Sequence, residues 1–88
     1  MKIYIPTRGR IETQTTWRSI GESARQKACL VCPEDEVKYH LRFNRRVVSR
    51  GKVTGINNVR EFIMDHAIEH NHDKIVMLDD DLIFGKRI

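Results

Sequence analysis

An 88-residue chain with 40% hydrophobic and 32% charged residues has the make-up of one small folded domain and is too apolar for an intrinsically disordered segment. No stretch approaches the roughly 18 apolar residues of a membrane span. Met1-Lys2-Ile3-Tyr4-Ile5 enters a strand pattern directly, without the architecture of a signal peptide, so a cytoplasmic location is expected. The net charge of +4 suits phosphate-bearing ligands, nucleotides and nucleic acid alike, and equally an ordinary solvated surface.

In chain order, the first predicted strand is Lys2 to Ile5, broken by the loop Pro6-Thr7-Arg8-Gly9-Arg10. A helix is predicted from Gln14 to Glu22, with Thr13 a candidate cap and Trp17, Ile20 and Ala24 at helical spacing. The second strand is Lys27 to Cys32. Pro33 followed by Glu34, Asp35 and Glu36 then opens a helix toward Phe43, because proline suits a first turn and acids favour the positive end of the helix dipole. A third strand covers Arg46 to Ser49. The clearest helix runs from Ile56 to Glu69, where Ile56, Val59, Ile63 and Ala67 form one apolar stripe that Phe62, Met64 and Ile68 widen. Lys74 to Leu78 form the fourth strand. The pattern β-α-β-α-β-α-β predicts an α/β fold with a small Rossmann-like parallel sheet and right-handed crossovers.

The fourth strand carries the most informative feature, an apolar run that delivers Asp79, Asp80 and Asp81 to one point. Ile75 to Leu78 read as a strand buried on both faces. Its C-terminal end is the edge at which open α/β sheets bind ligands. Three adjacent carboxylates repel one another unless water, a basic side chain or a divalent cation offsets the charge. Alternation along an extended chain turns Asp79 and Asp81 the same way with Asp80 opposed, so the outer pair could hold Mn²⁺ or Mg²⁺, hard cations that take carboxylate oxygens and keep positions for phosphates. The bland alternative is an acidic loop capping the next segment. On the same rim the loop Pro6 to Arg10 offers a rigid turn, a hydroxyl and two guanidiniums, a set able to hold a base and its phosphates.

Other spacings invite chemistry less well. Cys29 and Cys32 form a C-x-x-C pair, but Ala28 to Cys32 reads as a buried strand with its thiols on opposite faces, so core cysteines are expected rather than a redox or zinc site. His66, His70 and His72 lie close in sequence, yet the residue after His66 is Ala67, where the zinc-protease pattern requires glutamate. Neither a G-x-G-x-x-G nor a Walker A pattern is present, which weakens dinucleotide and NTPase readings.

These residues resemble the N-terminal, nucleotide-binding half of GT-A glycosyltransferases. More closely they resemble the phage-type glycosyltransferases of modified DNA bases, the TET-associated group. The resemblance rests on Lys2 to Arg10, on Leu30-Val31-Cys32-Pro33-Glu34, on Gly55-Ile56-Asn57-Asn58-Val59-Arg60, and on Met77-Leu78-Asp79-Asp80-Asp81-Leu82 as a D-x-D motif. It implies that Pro6, Thr7, Arg8 and Arg10 line a nucleotide pocket, that Glu34 lies near the base, and that Arg60 and Asp80 approach the donor. It implies further that Asp79 and Asp81 hold Mn²⁺ or Mg²⁺ on the diphosphate of a sugar nucleotide such as a UDP-sugar. The implied reaction is glycosyl transfer to an acceptor hydroxyl, for the close relatives a hydroxymethylpyrimidine in DNA, and the implied setting is a phage-encoded protein in the host cytoplasm. Residues 1–88 would form a single nucleotide-sugar-binding domain without the acceptor-binding half that follows D-x-D in the family.

Two other classes fit the same sequence. One is a non-catalytic protein of this fold that binds a nucleotide or a host protein. The other is a basic nucleic-acid-binding module using Arg42, Arg45, Arg46 and Arg50. Leu82, Ile83 and Phe84 after the acids predict a homo-oligomer or a partner segment.

Overall fold

Four parallel strands alternate with helices in the computed structural model, which describes residues 1–82. Strands β1 (Lys2–Pro6), β2 (Ala28–Cys32), β3 (Val47–Ser49) and β4 (Ile75–Met77) are joined by helices α1 (Thr15–Ser19), α2 (Glu22–Arg25), α3 (Val37–Leu41) and α4 (Ile56–Glu69). A 3-10 turn at Glu34–Glu36 leads into α3. The sheet order is β3-β2-β1-β4. The chain therefore builds outward from β1 in one direction and then crosses back to place β4 on its other side, the doubly wound, Rossmann-like arrangement expected.

Alternation along the strands divides the core in two. Tyr4, Cys29 and Val31 face α4 and pack with Val59, Ile63 and Ala67. Ile3, Ile5, Ala28 and Leu30 face the other way, against Trp17, Ile20, Ala24 and Leu78. Strand β2 lies between β1 and β3 and is buried at every residue, which explains its unbroken apolar run. Cys29 and Cys32 are both buried and free. Burial pushes both thiols up, Cys32 to about 11 with Glu36 adding to the effect, so neither has the lowered pKa of a redox cysteine.

The structure departs from the sequence expectation in three elements. The predicted helix from Gln14 to Glu22 is two short helices, because Gly21 adopts φ 84° and ψ 164°, a conformation open essentially to glycine alone. The helix expected from Pro33 starts as a 3-10 turn and becomes α-helical only at Val37. Strand β4 is not covered on both faces: it pairs with β1 alone among the described residues, at the sheet edge, and Val76 is exposed. No helix among the described residues is long and apolar enough to cross a membrane. Ile83 and Phe84, of the expected association segment, lie outside the described residues, while Leu82 is half-buried.

Candidate functional site

The order reverses between β1 and β4, and the C-terminal ends of these two strands open a crevice where such sheets bind ligands. A cavity of about 350 Å³ occupies it, lined by the β1 loop (Pro6, Thr7, Arg8, Arg10), the β4 end (Met77, Leu78, Asp79, Asp80), the α4 start (Ile56, Val59, Arg60) and Arg50.

The β1 loop is fixed from three sides. The buried Thr7 donates its hydroxyl to Asp80 Oδ2 at 2.7 Å and accepts from Gln14 Nε2 at 2.8 Å. The same amide also donates to the Arg10 carbonyl at 2.7 Å. Arg10 Nε lies 3.8 Å from Asp80 Oδ2. On the outer side, the Gly9 N–H, at φ 73°, donates to both carboxylate oxygens of Glu36 at 3.0 Å. Glu36 also stands 3.8 Å from the buried ring of His40.

The acidic turn is anchored on α1. Thr16 donates its hydroxyl to the Asp79 carbonyl and accepts from the Leu82 N–H at 2.8 Å. Its own N–H donates to the Asp80 carbonyl at 3.2 Å, and Ser19 donates to the Leu82 carbonyl at 2.9 Å. Because β4 ends at Met77, the acids lie in this turn, where strand alternation does not set their directions. Asp80 turns inward to Thr7 and Arg10, Asp79 is exposed and lines the cavity, and Asp81 is exposed without lining it.

Of the residues singled out in the sequence, Pro6, Thr7, Arg8, Arg10, Arg60, Asp79 and Asp80 therefore come together around one cavity. Glu34 is exposed and does not line it, with its N–H donating to the Gly51 carbonyl at 3.3 Å. Sequence reading missed the part of Gln14 and Glu36, which hold the β1 loop, and placed Arg50 in a basic nucleic-acid-binding set, whereas it lies just past β3 on the same rim. Strand position was the signal that could have found Arg50, since every strand of a parallel sheet ends on that rim.

The basic set divides in the same way. Arg45 is buried, bonded to the Ile11 carbonyl and to His40 Nδ1, and stacked 4.4 Å from the Phe43 ring centre. Arg46 donates to the Gln26 carbonyl, and Arg50 is buried at the cavity. These arginines do not form one exposed basic face.

No group of three or more His, Cys, Asp or Glu side chains is placed to hold a metal ion among the described residues. Asp79 nonetheless offers the cavity a carboxylate with no hydrogen bond or ion pair among the described residues. That donor set fits a Mg²⁺-type ion, commonly held by one or two carboxylates while substrate phosphates and water complete the shell.

A family model described as TET-Associated Glycosyltransferase matches residues 1–87. No curated protein and no solved structure matches the chain.

Proposed function

Because the chain belongs to the TET-associated glycosyltransferase family, we propose that the cavity between β1, β4 and α4 binds the sugar nucleotide of a glycosyl transfer, a UDP-sugar in the first instance. One observation carries this reading: the cavity stands at the strand-order reversal and combines guanidiniums with the Asp79 carboxylate on a rim held by the Thr7, Gln14 and Asp80 hydrogen bonds. Such a rim is preorganised, so little ordering cost falls on binding.

The residues take distinct parts. Pro6 and Thr7 shape the floor, and Arg8, Arg10 and Arg60 present charge to the phosphates. Asp80, engaged by Thr7 and Arg10, holds the β1 loop and the acidic turn together. Asp79 would hold Mn²⁺ or Mg²⁺ from the cavity wall, with Asp81, in the same turn but off the cavity lining, as the second ligand proposed from the family resemblance, and the cation when bound would supply charge neutralisation for the diphosphate leaving group. Glu34, in the 3-10 turn that follows β2, would reach the base only from outside the cavity wall. In the transfer, the bond from anomeric carbon to phosphate oxygen breaks with its electron pair leaving on UDP, the acceptor oxygen bonds to that carbon, and the acceptor hydroxyl's proton passes to water. The acceptor proposed from the family resemblance is a hydroxymethylpyrimidine in DNA.

Titration with UDP and UDP-sugars by calorimetry, with and without Mn²⁺, tests the reading. The expected result is binding that Mn²⁺ strengthens, and in the presence of Mn²⁺ an Asp79→Ala, Asp81→Ala double variant is expected to bind at least about tenfold more weakly than wild type, the scale of losing charge-assisted contacts. No binding by the folded wild type would refute a donor site. Mass analysis of hydroxymethylated DNA incubated with protein and each UDP-sugar tests the acceptor.

A further inference from the structure

Two buried arginines meet different fates in this fold. Arg45 is consumed by structure, through the Ile11 carbonyl, His40 and Phe43. Arg50 is as deeply covered, 6% exposed. It spends only its Nε, donated to the Val53 carbonyl at 3.1 Å. Among the described residues no carboxylate pairs with it and its Nη nitrogens make no hydrogen bond, yet it lines the cavity. Its Nη nitrogens are not among the buried unpartnered side-chain atoms, so they open onto the cavity, where an anion would complete their hydrogen bonds.

A second set of donors meets it there. Helix α4 is 14 residues long and starts at Ile56, which lines the same cavity. Its N-cap is Gly55, which has no side chain to cap the helix, and the first intrahelical bond runs from the Val59 N–H to the Gly55 carbonyl at 2.9 Å. The N–H groups of Ile56, Asn57 and Asn58 have no partner among the described residues. An uncapped helix start beside a free guanidinium is an arrangement suited to phosphate. Arg60, one turn into α4, lines the same wall.

We infer that Arg50 and the start of α4 form an anion subsite that takes a phosphate group of the ligand without needing a divalent cation. The subsite deepens the proposed function, since it assigns the diphosphate that joins nucleoside and sugar to the α4 wall, and it rests on that reading. Arg50 acts as a fork whose Nε bond to Val53 fixes its plane, so that both Nη nitrogens are left for phosphate oxygens. Asp79, in the turn after β4, lines the same cavity, so a cation there and the Arg50 guanidinium would act on the same diphosphate.

The test is calorimetric titration of the 88-residue chain with inorganic pyrophosphate, and separately with UDP, in excess EDTA. Wild type is expected to bind both. Arg50→Gln is expected to weaken them by about ten- to a hundredfold, the range for charge-assisted hydrogen bonds. Arg42→Gln removes an exposed charge away from the cavity and is expected to bind as wild type. Circular dichroism checks that each variant is folded. If Arg50→Gln is not, Arg50→Lys keeps the charge without the fork and is expected to bind more weakly than wild type. The inference is overturned if wild type binds neither anion in EDTA, if Arg42→Gln loses as much as Arg50→Gln, or if the Arg50 variants bind unchanged. Failure of the two readings is distinguishable. UDP-sugar binding seen only with Mn²⁺ overturns the subsite and leaves the donor site standing. Pyrophosphate binding in EDTA with no UDP-sugar binding under any condition supports the subsite and removes the donor.

Discussion

Thr7 shows how much of the candidate site depends on single atoms. Its buried hydroxyl is at once donor to Asp80 and acceptor from Gln14. Thr7→Val keeps the shape and removes both bonds, leaving the Asp80 oxygen with the more distant Arg10 and releasing one of the two acceptors of the Gln14 amide. Unpaired buried polar groups cost about 1–3 kcal/mol each, so the variant is expected to lose roughly that much by urea unfolding. Sugar-nucleotide affinity is expected to fall with it, because the acidic turn is no longer tied to the β1 loop. A variant as stable as wild type would show that Asp80 is held by Arg10 alone. At this scale the sequence was legible in part. Pro6, Thr7, Arg8, Arg10 and Asp79 were recognisable because they end or follow a strand, while Arg60 and the donor-side role of Asp80 came from the family resemblance alone. Glu36 was not recognisable, because nothing in its spacing announces the bond to Gly9 across 27 residues. Gln14 reads as an ordinary helix-start residue although its partners Thr7 and Arg10 are near in sequence, and Arg50 reads as one of the basic set although its place just past β3 puts it on the rim.

Between elements, the acidic turn and α1 are mutually dependent. Thr16 and Ser19 bind the backbone of residues 79–82, and α1 has only the five residues Thr15–Ser19, too few to be stable as an isolated helix. Its length is set by Gly21, whose φ of 84° and ψ of 164° end one helix and start the next. A methyl group there would meet no atom within 4 Å, so any penalty of Gly21→Ala is conformational rather than steric. The expected loss is about 1–3 kcal/mol, read as a lower urea midpoint, with sugar-nucleotide binding retained under native conditions. An unchanged midpoint would mean that α1 and α2 merge into the longer helix that apolar spacing predicted. The stripe of α4 was legible for the opposite reason: Val59, Ile63 and Ala67 recur with the helical period and are the residues it buries. Ile56 fits the same period but is 67% exposed, because the helix start overhangs the cavity instead of the sheet.

For the molecule as a whole, the two layers of the core each hold a titratable group that resists charging. On the α3 side, His40 is lowered by burial and then by Arg45, against the opposing pull of Glu36. On the α4 side, His66 accepts or donates to the Tyr4 hydroxyl at 2.9 Å and is lowered by burial and then by His70, His72 and Lys2, with Glu69 opposing. A histidine whose folded pKa lies below the unfolded value of 6.5 takes up its proton first in the unfolded chain. Stability is therefore full above pH 6.5 and drains away as pH falls from there toward the folded pKa values. The β2 thiol works from the other end. Cys32 is raised from 9.0 to about 11, so the unfolded chain loses its proton first. That contribution is whole below pH 9.0 and is lost as pH rises through about 11, with Cys29 and Tyr4 raised in the same sense. The fold is thus expected to show a stability plateau bounded by pH 6.5 and 9.0. Urea midpoints measured across both edges check this, and the variants separate the causes. His40→Gln should flatten the acid edge and leave the alkaline edge in place, while Cys32→Ala should do the reverse. An acid edge that survives replacement of both His40 and His66 would overturn their assignment, because burial of these two rings is what opposes their charging in the fold.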